Sequence, residues 1–216
     1  MISMVILPAD WSTRKEAVIR EVKRKSIHII PGVLGPPIVL TIGRWSALIA
    51  LFFLILYVLE EIRLRLGLDI RIPVASNTFE IMAREEEKAK GRFTGTVYFW
   101  SCTLLLLSLP IFDLKIALAA IMISSLGDAM AAIVGKAVGR TNIPYCKRRT
   151  MEGSIAMFLT SLLTTTPFVG VELAFIGALI GTLAETIPIH YTYDEISVPM
   201  ASAMAMQLYL LMYVKV

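Results

Sequence analysis

The side chains richest in chemistry gather between Gly127 and Ser154, in the stretch GDAMAAIVGKAVGRTNIPYCKRRTMEGS. Asp128 interrupts an apolar run. A carboxylate there costs at least about 2.5 kcal/mol on insertion scales, so the position reads as functional. Gly127, Ala131, Gly135 and Gly139 recur every four residues and share one helix face. Asp128, Ala132 and Lys136 form the neighbouring face, with Asp128 and Lys136 roughly 12 Å apart. Arg140, Lys147, Arg148 and Arg149 follow, and then Glu152 and Gly153. An acid, bare backbone, a cluster of cations and a second acid are the components of a metal–polyphosphate site. Taken alone, the glycine stripe is the small-residue pattern of helix packing, and Lys147 to Arg149 is a topology signal. Neither accounts for Asp128.

The elements that must carry these residues are membrane helices. The chain is 56% hydrophobic with mean hydropathy +0.72, which excludes an ordinary soluble domain. Its 216 residues suit a single integral membrane domain, 1–216, built as an all-α polytopic helix bundle. Seven spans are expected: 27–42, 45–59, 93–109, 114–139, 155–167, 171–187 and 196–214. The first holds Pro31, Pro36 and Pro37 and should be kinked or broken. A basic amphipathic helix over 10–26 should lie on the cytosolic surface ahead of it. Within 60–92 the sequence fits either a second surface helix, capped by Asn77 and braced by Glu80–Arg84 and Glu86–Lys90 pairs, or a solvated charged linker. A turn is expected at Thr164 to Pro167, and a polar break at His190 to Ser197. Cys102 and Cys146 give neither a disulfide framework nor metal-ligand spacing, and Met1 to Leu7 lacks the pattern of a signal peptide.

With the N-terminus in the cytosol, eighteen of the twenty-one lysines and arginines fall inside. The net charge of +4 then reads as topology and attraction to anionic lipid, with no nucleic-acid partner implied. The polar clusters around Glu21 to His28, Arg84 to Thr94, Gly135 to Gly153 and Glu185 to Glu195 converge on that one face. A transporter should carry polar features on both sides and a midplane site. A one-faced site fits an enzyme that takes a soluble co-substrate from the cytosol and a lipid from the bilayer. Ala129, Ala132 and Gly135, with Ala201, Ala203 and Ala205, mark where the lipid would enter.

Four pieces along nearly the whole chain carry a resemblance. They are EVKRKSIH from Glu21, AREEEKAKGRFTGTVYF from Ala83, GDAMAAIVGKAVGR with KRRTMEGSIAMF in the centre, and TYDEISVPMASAMAM from Thr192. In this order they resemble the CTP-dependent lipid kinases, the family of dolichol, yeast-type diacylglycerol, and phytol or farnesol kinases. Arg149-Thr150 stands where that family usually has Lys followed by Ser or Thr, and Glu195 where it usually has Asn. The Lys-Asp and His-Gly-Gly signatures of cytidylyltransferases are not found in the sequence.

The resemblance implies transfer of the γ-phosphate of CTP to a lipid alcohol, dolichol or another polyprenol first among them. The alternatives are a CDP-lipid-forming cytidylyltransferase and a non-enzymatic transporter. Phosphoryl transfer needs positioning and charge neutralisation. Asp128 is then expected to ligate Mg²⁺, or another divalent cation, or to serve as base, with Glu152 and Asp194 as partners and Asp128 and Glu152 as the metal pair. Lys136, Arg140, Lys147, Arg148 and Arg149 would hold the triphosphate. Gly135, Gly139 and Gly153 would let backbone approach it, and Arg24, Lys25 and His28 would form a second basic patch, with a plain interfacial or core role the alternative for His28. Glu185 draws notice as an acid ending an apolar span, whereas Glu172 reads as a solvated turn residue.

Overall fold

The computed structural model describes residues 8–83, 85–188 and 193–213, with side chains from residue 14 onward. Among the described residues the fold is all-α apart from one small hairpin. Helix α1 runs from Pro8 to Ile42 without a break. At 1.5 Å per residue its 35 residues span about 52 Å, more than a bilayer's hydrocarbon core. The expected surface helix and the expected broken first span are therefore one element. Nothing between Lys25 and Pro31 favours a turn, and the proline-bearing half packs along a central helix that supports it. An alanine at Gly32 would collide with Ser125 Oγ and Leu126, which shows how closely the two backbones approach.

Helix α2 (Ser46–Leu66) extends seven residues past the expected span end, to a left-handed Gly67 at φ 64°. Two buried acids make this possible. Glu60, fully buried, accepts from Arg63 at 2.7 and 3.0 Å and from Ser76 Oγ at 3.0 Å. Glu61 accepts from Arg65, from the Phe93 amide and from Thr94. These bonds tie α3 (Pro73–Met82) and the start of α5 (Thr94–Ser108) to α2. α3 begins with Pro73 at its first turn, so Asn77 sits inside the helix and caps nothing. Glu80 pairs with Arg71; its expected partner Arg84 lies outside the described residues. In the short α4 (Glu85–Lys90), Lys88 pairs with Glu85 at 3.6 Å.

The centre of the fold is a single rod of α6 (Leu114–Met122), a π-helical turn over Ile123–Gly127, and α7 (Asp128–Val138). Asp113 caps it, accepting from the amides of Lys115 and Ile116. Ala117, Leu118, Ala119 and Ala120 are fully buried, because small side chains let neighbours close around the rod on all sides. A hairpin unforeseen in the sequence follows, β1 (Asn142–Ile143) antiparallel to β2 (Cys146–Thr150).

Helix α8 (Met151–Val169) starts at a Thr150 cap and runs through the expected turn at Thr164 to Pro167. Thr164, Thr165 and Thr166 each donate to the carbonyl four residues back, which keeps them helical. The chain turns at Gly170, at φ 83°, into α9 (Val171–Thr186). Helix α10 (Asp194–Tyr213) closes the bundle against α9 and α5. Residues 189–192 of the expected polar break, with His190, lie outside the described residues. Among the described residues three helical stretches are long and apolar enough to cross a membrane: Arg14–Leu66, Leu114–Val138 and Asp194–Tyr213.

Candidate active site

Asp128 opens α7 directly after the π-helical turn, an irregularity of the kind found at functional sites. Three side chains from two other elements, α1 and β2, surround its carboxylate. Lys25 of α1 donates to Asp128 Oδ2, with a side chain only 4% exposed. His28, one turn further along α1, brings Nε2 to 3.8 Å from the same oxygen. Arg149 of β2 brings Nη1 to 3.8 Å from Oδ1. A carboxylate in a helical core is sustained by such cations, since alone it would bear the full desolvation cost.

Arg149 is the hub of the next layer. Nη1 meets Glu185 Oε1 of α9 at 2.5 Å, and Nη2 donates to Asp194 Oδ2 of α10 at 2.6 Å. Burial works against its charge, but the carboxylates of Glu185, Asp128 and Asp194 raise its pKa above the ordinary arginine value. Arg148 lies 3.6 Å from Asp194. On the α1 side, Glu21 accepts from Lys136 at 2.6 Å and pairs with Arg24. Cations and acids thus alternate across α1, α7, β2, α9 and α10. The planar fork of Arg149 reaches two carboxylates at once, which the single ammonium of lysine would not do in that geometry.

Two cavities meet here. A polar one of about 560 Å³ is lined by Arg24, Lys25, Asp128, Lys136, Arg148, Arg149 and Asp194, among others. An apolar one of about 470 Å³ runs between α1, α2, α3 and α5, past Ile27, Leu34, Ile38, Phe53, Tyr57 and Trp100. Phe53 stacks on Trp100 with ring centres 4.6 Å apart, giving the apolar cavity a rigid aromatic wall. Arg24 and Glu195 line both cavities, and His28 lines the apolar one beside them.

Most of the residues singled out in the sequence come together at this place. Arg24, Lys25, Asp128, Gly135, Lys136, Arg148, Arg149, Gly153 and Asp194 all line the polar cavity. Gly139, Arg140, Lys147 and Glu152 do not. Glu152 accepts instead from the amides of Arg140 and Thr141 at 3.1 and 3.2 Å, clamping the loop that leaves α7. Gly139 and Gly153 serve close packing: an added Cβ would meet Thr150 Oγ1 at 2.8 Å in the first case and the Ala131 carbonyl at 2.7 Å in the second. Gly135, whose added Cβ would meet Thr150 Oγ1 at 3.1 Å, packs and lines the cavity together.

Other site residues were less legible. Glu21 lies within a recognised motif but shows its role only through its partners Lys136 and Arg24. Glu185 is 1% exposed, and an acid at the end of so apolar a segment was its only signal. The apolar cavity also lies away from the expected lipid entrance. Ala129 and Ala203 are fully buried in packing, and Ala132 lines the polar cavity. Glu172 is exposed, as expected, and accepts from Tyr209 at 3.0 Å.

Sequence comparison places this geometry among known chains. An uncharacterised protein of Methanocaldococcus jannaschii is 30% identical over 181 residues, covering 82% of this chain and 86% of that one. The chain belongs to that archaeal protein's family. It is also similar to the phytol kinase of Synechocystis, 28% identical over 93% of this chain and 84% of that one. A probable chloroplastic phytol kinase of Oryza sativa is 27% identical over 91% of this chain and 67% of that one. Similarity to lipid kinases therefore runs through nearly the whole chain. No family model matches it. No solved structure matches it either.

Proposed function

We propose that the protein is an integral-membrane kinase that transfers the γ-phosphate of a nucleoside triphosphate, CTP, to the hydroxyl of an isoprenoid lipid alcohol of the phytol or polyprenol kind. The observation that carries this reading is the junction of the two cavities at Arg24 and Glu195. A cation-lined chamber suits a triphosphate, and an apolar one suits a hydrocarbon tail, each buried CH₂ contributing about 0.8 kcal/mol. The choice of CTP and of an isoprenoid acceptor, dolichol among them, is supported by the motifs and by the named relatives.

In the proposed reaction the alcohol oxygen attacks the γ-phosphorus, the bond to the β,γ-bridging oxygen breaks, CDP leaves, and the hydroxyl proton is released to solvent. Little covalent chemistry is asked of the protein; alignment and charge neutralisation do the work. Lys136, Arg148 and Arg24 line the chamber where they can meet phosphate oxygens, and Arg149 is held between Glu185 and Asp194 as a preset fork. A divalent cation such as Mg²⁺ fits beside Asp128, whose carboxylate lines the chamber. Bound there, it would neutralise charge on the transferring phosphate. Glu152, occupied by backbone amides, is the weaker of the two expected ligands.

The same reading treats 1–216 as one membrane domain of seven spans, α1, α2, α5, α6–α7, α8, α9 and α10, with the polar chamber facing the cytosol. The lysine and arginine bias supports that orientation. The test is incubation of the purified protein, in lipid nanodiscs, with γ-labelled CTP and separate lipid alcohols. Label in the lipid phosphate together with CDP release is expected. Pyrophosphate release would instead identify a cytidylyltransferase, and nucleotide left unconsumed with every acceptor would remove the enzyme reading.

A further inference from the structure

We infer that His28, Asp128 and Glu195 form a binding site for a divalent cation of the manganese class, one that takes an imidazole nitrogen as well as carboxylate oxygens. It rests on the phosphotransfer reading for the ion's purpose, but the site itself is read from geometry. Three elements that are distant in sequence, α1, α7 and α10, each send one ligand to it, and the ligand atoms all lie within 4.8 Å of one another.

The deciding atom is His28 Nε2. The side chain is 6% exposed, and among the described residues this nitrogen has no hydrogen-bond partner. Buried polar atoms are nearly always partnered, so an orphan of this kind calls for an explanation. It points between two carboxylate oxygens, 3.8 Å from Asp128 Oδ2 and 3.6 Å from Glu195 Oε2. Both separations are too long for hydrogen bonds. Ligands about 2.1 Å from one ion stand roughly 3–3.5 Å apart at tetrahedral or octahedral angles, so a small inward movement seats a cation among the three. The ring packs against Phe99, with centres 5.2 Å apart, which limits how His28 can turn away.

The donor set selects the ion. Mg²⁺ and Ca²⁺ prefer sites made of oxygen alone, whereas divalent first-row transition ions also take imidazole, and Mn²⁺ is the one among them that most favours carboxylate oxygen. Lys25 now holds Asp128 Oδ2, and Arg149 lies 3.8 Å from Oδ1. Both side chains line the polar chamber. An ion on Asp128 takes the oxygen that Lys25 occupies and turns that ammonium toward the chamber, so cation binding and triphosphate binding strengthen each other.

The experiment uses the full chain in detergent micelles without nucleotide, titrated with Mn²⁺ and followed by the paramagnetic resonance signal of the free ion. One saturable site per chain is expected, with Mg²⁺ competing at least about ten-fold more weakly. His28→Gln and Glu195→Gln should each loosen Mn²⁺ by about ten-fold or more, and the exposed Glu172→Gln should bind as the parent does. Lys25→Met should bind Mn²⁺ as tightly as the parent or tighter. Melting curves identify any variant that fails to fold, and the remaining one of the His28 and Glu195 pair then decides. No saturable Mn²⁺ binding by the parent, or parental affinity in a folded His28 or Glu195 variant, overturns the site. Mn²⁺ binding without phosphate transfer would uphold the site and remove the kinase reading. Phosphate transfer without Mn²⁺ binding would do the reverse.

Discussion

Lys25 of α1, itself buried, and the half-buried Asp128 of α7 form an ion pair across 103 residues of sequence. The pair fixes the basic half of α1 over the opening of α7, and so sets one wall of the polar chamber. Removing one member of such a pair leaves an uncompensated buried charge, at a cost of about 3–5 kcal/mol. Asp128→Asn should therefore lose both stability and activity, with kcat lowered about 100-fold or more. The double variant Lys25→Met with Asp128→Asn should regain much of the stability and none of the turnover. Thermal melting and CDP release measure the two effects separately. A double variant that is both stable and active would take Asp128 out of the reaction.

Ala132 lines the polar chamber, on the same face of α7 as Asp128 and Lys136. Ala132→Leu should raise KM for the nucleotide several-fold and leave KM for the lipid alcohol nearly unchanged. A change confined to the lipid would instead restore an entrance beside α7.

Trp100 forms part of the aromatic wall of the apolar cavity. Trp100→Leu should raise KM for a long isoprenoid alcohol roughly ten-fold, the worth of one lost aromatic contact. KM for the nucleotide should stay within about two-fold, well under one such contact. Steady-state kinetics with a long and a short, detergent-soluble alcohol check this, since the short one should respond less.

Gly153 faces the Ala131 carbonyl so closely that an added Cβ would stand 2.7 Å from it. Gly153→Ala must push α8 from α7, at about 1–3 kcal/mol, the usual cost of overpacking. The melting temperature should fall. If it does not, the contact between the two helices is looser than the structure shows.

Cys146 is buried, so it cannot report the side of the membrane on which the hairpin lies. Lys147 is exposed next to it. A Cys146→Ser, Lys147→Cys chain should react with an impermeant thiol reagent in inverted vesicles and not in right-side-out ones. Labelling from the outer side alone would reverse the proposed orientation.

The sequence by itself determined the solvent, the helical class and most of the polar chamber's lining. Twenty or so apolar residues at a time can satisfy their backbone in lipid only as helix, and a charge such as Asp128 inside one is too costly to be idle. It could not determine where helices end. Thr164 to Pro167 continues α8 because three hydroxyls bond back along the turn, and Pro31 to Pro37 continues α1 because a neighbour supports it; both depend on local geometry or on contacts that a linear reading does not contain. Partnerships were decided by tertiary structure alone. Glu152 and Asp128 are both acids in one motif, yet one clamps a loop while the other meets Lys25, His28 and Arg149. The apolar cavity is likewise a property of four helices together: Phe53 and Trp100 are ordinary apolar residues until α2 and α5 bring their rings into register. Charge and hydropathy are carried by single residues and can be read one at a time, whereas proximity between distant residues exists only once the chain has packed.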